Sequence, residues 1–122
     1  MVRIAPSILS GNFLNLEPDI RMVNKNADLI HIDVMDGSFV PNISFGFPVV
    51  EAIAKAVTVP MDVHLMIVNP DKYVERFAKT GAEMISFHLE AADQAGKDPR
   101  DIIAQIKSFG VKAGLVINPD IQ

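Results

Sequence analysis

Two histidines and an aspartate on two short apolar segments have the clearest potential for chemistry in this sequence. Residues 29–35 and 61–66 are rich in aliphatic side chains and have the length of buried strands. Side chains alternate along a strand, so His31 and Asp33 share one face of the first segment, and His64 shares a face of the second with Asp62. Such groups are costly to bury without partners. Two imidazoles and a carboxylate that converge from neighbouring strands form a metal-type ligand set.

The same residue types also have simpler interpretations. A single histidine such as His31 on an apolar strand is more often a hydrogen-bonded core residue, and only its pairing with Asp33 and His64 favours a metal site. Met35 and Met66 lie on the same faces as these residues. They could line a site as apolar, polarizable groups, or they could be ordinary core.

The composition limits the class of protein. The 122 residues are 49% hydrophobic, which is enough for one domain with a real core. The net charge of -4 argues against a nucleic-acid partner, and the absence of cysteine excludes thiolate chemistry and a disulfide framework. The N-terminus has a proline at position 6 where a signal peptide needs an apolar run, and no segment reaches the roughly 20 apolar residues of a membrane span. We therefore expect a cytoplasmic protein without a membrane partner.

Strand and helix patterns alternate along the chain. Five strands are predicted, at residues 4–9, 29–35, 61–66, 84–89 and 112–117. Pro6 should make the first of them irregular. Four helices are predicted between the strands, and this alternation indicates a parallel α/β sheet covered by helices, as in a (β/α) barrel of TIM type.

Proline pairs mark the starts of the later helices. Asn69-Pro70 predicts a capped helix start, with Tyr73 and Phe77 in the apolar stripe. Asp98-Pro99 predicts the start of a further helix, with Phe109 directed inward near its end.

Polar residues recur at or just beyond the carboxyl ends of the predicted strands, where a barrel carries its active site. They are Ser7, Asp33, Asp36, His64, His88 and Asn118. Several have simpler roles: Ser7 could cap a loop, Asp36 is expected to order the turn at Gly37, and Asn118 to form a turn. His88 could support a neighbouring site residue or order its loop through Glu90. Asp62, deeper than His64 in its strand, is interpreted as a structural buried polar residue.

The sequence resembles the ribulose-phosphate 3-epimerase family over essentially its whole length. The matching runs are residues 5–10, 31–37, 39–42, 62–66, 87–88 with Glu90, 112–114 and 118–119. The resemblance implies a (β/α)₈ barrel that interconverts D-ribulose 5-phosphate and D-xylulose 5-phosphate with a divalent cation, which could be zinc, iron(II), cobalt or manganese. It places the metal ligands on His31, Asp33 and His64, and a catalytic carboxylate on Asp33. It places the substrate contacts on Ser7, His64, Met35 and Met66.

The resemblance also implies a missing part. The family's chain continues through three more strands, which carry the second catalytic aspartate and the glycine-rich phosphate loops. Residues 1–122 are therefore expected to be one partial barrel domain, with about five strands and four helices, and to be inactive alone. The family commonly assembles, so a homo-oligomer is expected.

Epimerisation next to a ketone removes a weakly acidic proton and returns one to the opposite face. The resulting enediolate needs a Lewis acid to stabilise its charge and two acid-base groups on opposite faces. Asp33 can be one of these groups, and the methionines can exclude water. Neither Asp36 nor Asp62 convincingly supplies the other.

Three alternatives stay open at this point. The substrate could be a six-carbon ketose phosphate such as allulose 6-phosphate, because the matching runs do not separate the two. A decarboxylase of the same barrel superfamily is disfavoured, since the run from Asp33 to Asp36 has no lysine. The chain could also be a non-catalytic half-barrel that assembles with a partner through its exposed sheet edge.

Overall fold

Four parallel strands form the centre of the part of the chain that the structure describes. The computed structural model describes residues 4–8 and 15–118. Its strands are β1 (Ile30–Met35), β2 (Met61–Met66), β3 (Met84–His88) and β4 (Lys112–Val116). They lie side by side in chain order, and each neighbouring pair is parallel. Parallel neighbours in chain order, joined through helices, are what part of a TIM-type barrel requires, so the predicted fold class is confirmed.

In the residues that the structure describes, five α-helices and one short 3₁₀ helix accompany the strands. They are α1 (Glu17–Asn26), α2 (Phe47–Ala56), the 3₁₀ helix Pro70–Lys72, α3 (Val74–Ala78), α4 (Leu89–Gln94) and α5 (Pro99–Ser108). Helices α1, α2 and α5 each have a proline in the first turn, where no backbone N–H is needed. The predicted helix start at Asp98-Pro99 is confirmed, and the Asp98 side chain caps α5 by accepting a hydrogen bond from the Arg100 backbone N–H.

The two faces of the sheet differ sharply in polarity. One face is aliphatic and aromatic, and its residues in β1, β2 and β3 are buried: Ile30, Ile32, Val34, Val63, Leu65, Ile85 and Phe87. This face packs against the helices, which contribute buried side chains such as Val50, Ile53, Val74, Phe77, Ile102 and Ile106. The opposite face carries the histidines and carboxylates. The strand period of two alone produces this separation.

The register of β1 against β2 pairs the polar residues of the second face. His31 lies opposite Asp62, Asp33 lies opposite His64, and Met35 lies opposite Met66. A slip by one residue would turn every one of these side chains into the helix layer. Burial of the aliphatic face therefore also fixes the geometry of the polar face.

The predicted first strand is not a regular strand in the part that the structure describes. Only Ser7 forms a bridge, to His31, and Ile8 already lies in a 3₁₀ turn, while Leu9 lies outside the described residues. The carbonyls of Ile4 and Pro6 accept hydrogen bonds from the backbone of Leu29 and His31. Pro6 has no N–H to return, so the ladder stays one-sided there.

The predicted helix start at Asn69 is also corrected. Asn69 has a left-handed backbone (φ 48°) and makes no side-chain cap; a 3₁₀ helix follows it before α3 begins at Val74. A capping asparagine needs an extended backbone, whereas asparagine tolerates the left-handed one. The change of helix type breaks the 3.6-residue period, and Tyr73 at the junction is 42% exposed rather than core.

Two further differences concern helix ends. Phe109, predicted to point inward, is 40% exposed because it is the C-cap residue that follows α5. Helix α4 was not predicted at all: the expected strand ran to Leu89, which is instead the first residue of that helix. A helix of six residues has too few turns to show an amphipathic period, although Ala91 and Ala92 favour it.

Within residues 4–8 and 15–118, no helix is both long enough and apolar enough to span a bilayer.

Truncation of the aliphatic face should destabilise the protein. Leu65→Ala removes a fully buried side chain of β2, so we expect the free energy of unfolding to fall by about 2–5 kcal/mol in urea titrations. Met22→Ala, at an exposed side chain of α1, is the control and should change the free energy of unfolding by less than about 0.5 kcal/mol. Equal losses in both variants would contradict this assignment of the core.

Candidate functional site

The Asp33 carboxylate is the centre of the polar face. Its Oδ1 atom lies 2.7 Å from His31 Nε2 and 3.2 Å from His64 Nδ1. Its Oδ2 atom accepts a hydrogen bond of 3.2 Å from the Ser7 hydroxyl. The Asp33 side chain is 16% exposed, so these contacts replace most of the water that a carboxylate would otherwise bind.

The predicted ligand triad comes together in the fold. His31, Asp33 and His64 each offer one ligand atom, and these atoms lie within 4.8 Å of one another. Imidazole nitrogen and carboxylate oxygen bind zinc and similar divalent ions at about 2.0–2.2 Å. Small side-chain movements would therefore bring all three atoms onto one cation.

Asp62 supports this donor set from the neighbouring strand. Its Oδ2 atom lies 3.0 Å from His31 Nδ1, on the side of the ring away from Asp33. A carboxylate in this place holds a proton on Nδ1, so that Nε2 is the nitrogen that can bind a metal, which is the usual arrangement behind a ligating histidine. The hydrogen bond to Asp62, reinforced by the charge of Asp33, raises the pKa of His31 despite the opposing effect of burial.

The interpretation of Asp62 as a buried structural residue is thus corrected. Its side chain is 24% exposed and contacts a candidate ligand directly. The sequence placed Asp62 on the correct face through its spacing from His64. Asp62 lies opposite His31 because of the register between β1 and β2, and the spacing of residues within one strand does not predict that register.

His64 is held from both sides of its ring. Nδ1 faces Asp33, and Nε2 lies 2.8 Å from Nε2 of His88 on β3. Burial lowers the pKa of His64 below its ordinary value, although the charge of Asp33 opposes the shift. The neutral ring that results is the form that ligates metals.

His88 contacts His64 rather than Glu90. Glu90 instead accepts a hydrogen bond of 2.6 Å from the backbone N–H of Asn118, two residues beyond the end of β4. Of the roles predicted for His88, support of a neighbouring site residue therefore agrees with the structure, whereas no hydrogen bond to Glu90 is present. The turn predicted at Asn118 continues into Pro119, which lies outside the described residues.

The predicted substrate contacts lie next to the triad. Ser7 touches Asp33 directly. Met35 and Met66, both half-buried, are paired across β1 and β2 two residues beyond Asp33 and His64. Contact of these side chains with a substrate stays a prediction.

Asp36 orders the loops around the site, as predicted. Its Oδ1 atom accepts backbone hydrogen bonds from Ser38 (2.9 Å) and Phe39 (2.8 Å), and its Oδ2 atom accepts one from Val68 (2.8 Å) beyond β2. Burial alone would raise the pKa of Asp36, but these three N–H groups together lower it below its ordinary value. One carboxylate thus ties the loop after β1 to the loop after β2.

Gly37 completes this turn. Its φ of 77° lies in the left-handed region, and a Cβ atom there would come within 2.7 Å of the Ile43 side chain. Both the conformation and the close approach require glycine.

Ser44 is a residue of the site that the sequence analysis missed. Its hydroxyl donates to the carbonyl of Asp33 (2.8 Å) and accepts from the N–H of Met35 (2.9 Å). It therefore fixes the end of β1 on either side of Val34. Nothing distinguishes a serine in a long loop by sequence, so no signal was available.

Comparison with known proteins identifies the family. A family model described as the ribulose-phosphate 3 epimerase family matches residues 3–122. The chain belongs to the ribulose-phosphate 3-epimerase family. The resemblance inferred from the sequence is confirmed.

Similar proteins carry the same name. The chain is 51% identical over 120 residues to ribulose-phosphate 3-epimerase of Bacillus subtilis, and the match covers 98% of this chain and 54% of that protein. It is 50% identical over 117 residues to the Synechocystis ribulose-phosphate 3-epimerase, and that match covers 95% of this chain and 50% of the relative. It is 47% identical over 117 residues to the chloroplastic ribulose-5-phosphate-3-epimerase of Arabidopsis thaliana, with 95% of this chain and 41% of the relative covered. The chain of this family member thus spans about half the length of the curated relatives it matches.

Neutralising Asp36 should loosen the loops of this ribulose-phosphate 3-epimerase family member. In Asp36→Asn, an amide that donates replaces one acceptor oxygen and leaves a backbone N–H unpaired, so we expect a loss of about 1–3 kcal/mol at pH 7 in urea unfolding. Because the pKa of Asp36 is lower in the folded protein than its ordinary value of 3.8, the ionised carboxylate stabilises the fold at every pH above 3.8. This contribution is lost as the pH falls through the lowered pKa. The difference from wild type should therefore shrink in acid. Asp93→Asn, at an exposed residue, is the control and should change the free energy of unfolding at pH 7 by less than about 0.5 kcal/mol.

Proposed function

We propose that the complete protein epimerises C3 of D-ribulose 5-phosphate to give D-xylulose 5-phosphate. The observation that carries the proposal is the convergence of His31, Asp33 and His64 at one point of the polar face. Membership of the ribulose-phosphate 3-epimerase family supports the choice of reaction. The relatives' names support a pentulose phosphate as the substrate.

A divalent cation fits the donor atoms of this site. His31 Nε2, Asp33 Oδ1 and His64 Nδ1 would hold it, with Asp62 behind His31. The bound cation would act as a Lewis acid that stabilises the negative charge of an enediolate. Two imidazoles and a carboxylate accept zinc, iron(II), cobalt or manganese, so the proposal covers all four.

The two oxygens of Asp33 have different surroundings and hence different proposed roles. Oδ1 faces both imidazoles, whereas Oδ2 is held only by the Ser7 hydroxyl in the contacts described. We infer that Oδ2 accepts the C3 proton of the substrate, and that the hydroxyl of Ser7 then turns toward the sugar. Met35 and Met66 would keep water from the reacting carbon.

We propose that residues 1–122 are the first part of a (β/α)₈ barrel domain. The relatives are about twice as long, and β4 leaves Leu115 exposed at the last strand described. The acid that returns a proton to the opposite face would then come from outside this chain segment. The cytoplasmic location, the homo-oligomer and the lack of a nucleic-acid partner stay predictions.

Metal removal provides the first test. Dialysis of the complete protein against a chelator should abolish epimerisation, and zinc, iron(II), cobalt or manganese should restore it, because the enediolate charge is otherwise unopposed. Activity would be followed by conversion of ribulose 5-phosphate, with metal content measured on the same samples. Full activity in a protein shown to be metal-free would contradict the proposal.

Substitution of the base provides the second test. Asp33→Asn should slow exchange of the substrate C3 proton with deuterated solvent by about 10²- to 10⁴-fold, the usual contribution of general base catalysis. Proton NMR measures the exchange, and saturating metal separates a lost base from a lost ligand. Asp62→Asn changes a neighbouring carboxylate whose described hydrogen bond is to His31, so at saturating metal the exchange rate should fall much less. Undiminished exchange in metal-loaded Asp33→Asn would remove Asp33 from this role.

A further inference from the structure

The contact between His64 and His88 joins a candidate metal ligand to a buried histidine of the next strand. The two Nε2 atoms are 2.8 Å apart, the ring centroids 4.9 Å apart, and the ring planes differ by only 19°. The nitrogens are therefore much closer than the ring centres, so the rings meet edge to edge in nearly one plane. This is the geometry of an N–H···N hydrogen bond rather than of face-to-face stacking.

We propose that His88 is a positioning residue for the metal site, in that its Nε2 accepts a hydrogen bond from His64 Nε2–H and so keeps Nδ1 of His64 as the metal-binding atom. The inference deepens the proposed function and rests on a cation bound by His31, Asp33 and His64.

Proton counting determines the direction of this hydrogen bond. A nitrogen that ligates a metal must carry no proton, and Nδ1 is the His64 atom that faces Asp33. The neutral His64 ring then carries its proton on Nε2, where His88 is its partner. His88 must accept with Nε2, and its own proton is placed on Nδ1.

His88 is itself held firmly enough to orient another ring. It is the last residue of β3 and 5% exposed. The ring of Phe39 lies against it with centroids 5.0 Å apart, and Asp36 holds the backbone of Phe39. The orientation of His88 is therefore set by a strand on one side and by an ordered loop on the other.

The unpaired nitrogen of His88 supports a polar role for this ring. Among the described residues, its Nδ1 atom is buried without a hydrogen-bond partner. An aromatic hydrocarbon side chain in the same place would avoid that cost. An imidazole is therefore expected at position 88 because its other nitrogen, Nε2, makes a hydrogen bond. In the contacts described, the partner of Nε2 is His64.

His88 is not itself a fourth ligand in this arrangement. Its Nε2 atom is directed at the far edge of the His64 ring, and the cluster that could hold an ion contains His31, Asp33 and His64 without it. Loss of the His88 contact should therefore weaken metal binding without emptying the site.

Metal affinity of the complete protein tests the proposal directly. Zinc dissociation constants would be measured by chelator competition for wild type, His88→Phe, His88→Gln and Ser86→Ala. His88→Phe keeps a ring but has no acceptor, so we expect about 10- to 100-fold weaker zinc binding. His88→Gln offers a carbonyl oxygen as acceptor and should recover most of this loss. Ser86→Ala removes only a hydroxyl from the residue that pairs with His64 in the register of β2 and β3. It leaves the His88 ring in place and should match wild type.

The outcomes separate this inference from the proposed function. If wild type binds no zinc at the triad, the proposed function fails. If wild type binds zinc and His88→Phe binds it equally well, or His88→Gln is as weak as His88→Phe, the positioning role is overturned.

A second measurement needs no variant and covers the case in which substitutions prevent folding. Long-range proton–nitrogen NMR of the zinc-loaded wild type reports which ring nitrogens carry protons. We expect the proton on Nε2 of His64 and on Nδ1 of His88. A proton on Nε2 of His88, or zinc on Nε2 of His64, would overturn the proposal.

Discussion

The Asp33 carboxylate is the group on which the polar face depends. It is mostly buried, and two imidazoles and one hydroxyl replace its water. Of these partners, only His31 lies on the same strand as Asp33. The buried position of this carboxylate is therefore tolerable only if β2 and the segment around Ser7 lie where they do. An unpartnered carboxylate would be strongly disfavoured here. The register of β1 and β2 and the geometry of the site therefore cannot change independently of each other.

The two candidate imidazole ligands have unlike surroundings. His31 has a carboxylate behind it in Asp62, which raises its pKa, whereas His64 has a neutral ring behind it in His88, and burial lowers its pKa. Each ring has one nitrogen directed at Asp33 and the other occupied by a neighbour. A ring held at both nitrogens cannot rotate freely, so the donor atoms are arranged before any ion binds.

The loops above the strands contribute through backbone contacts rather than through chemistry of their own. Asp36 joins the loops that follow β1 and β2, and Ser44 clamps the end of β1 on both sides of Val34. The role of Asp36 was predictable because Asp-Gly is a turn signal. The roles of Ser44 and Asn69 were not, because a hydroxyl partner and a left-handed backbone depend on where the chain returns in space.

Local periodicity was enough to predict the parallel sheet and to assign His31, Asp33 and His64 to one face, because alternation along a strand is a property of neighbouring residues. Matching runs of residues were enough to predict the family. Tertiary structure alone decided which side chains became partners: Asp62 with His31, and His88 with His64. These pairs are 31 and 24 residues apart, and their contact follows from a register that the buried aliphatic face fixes collectively. No spacing within one strand carries that information, since register is a relation between strands.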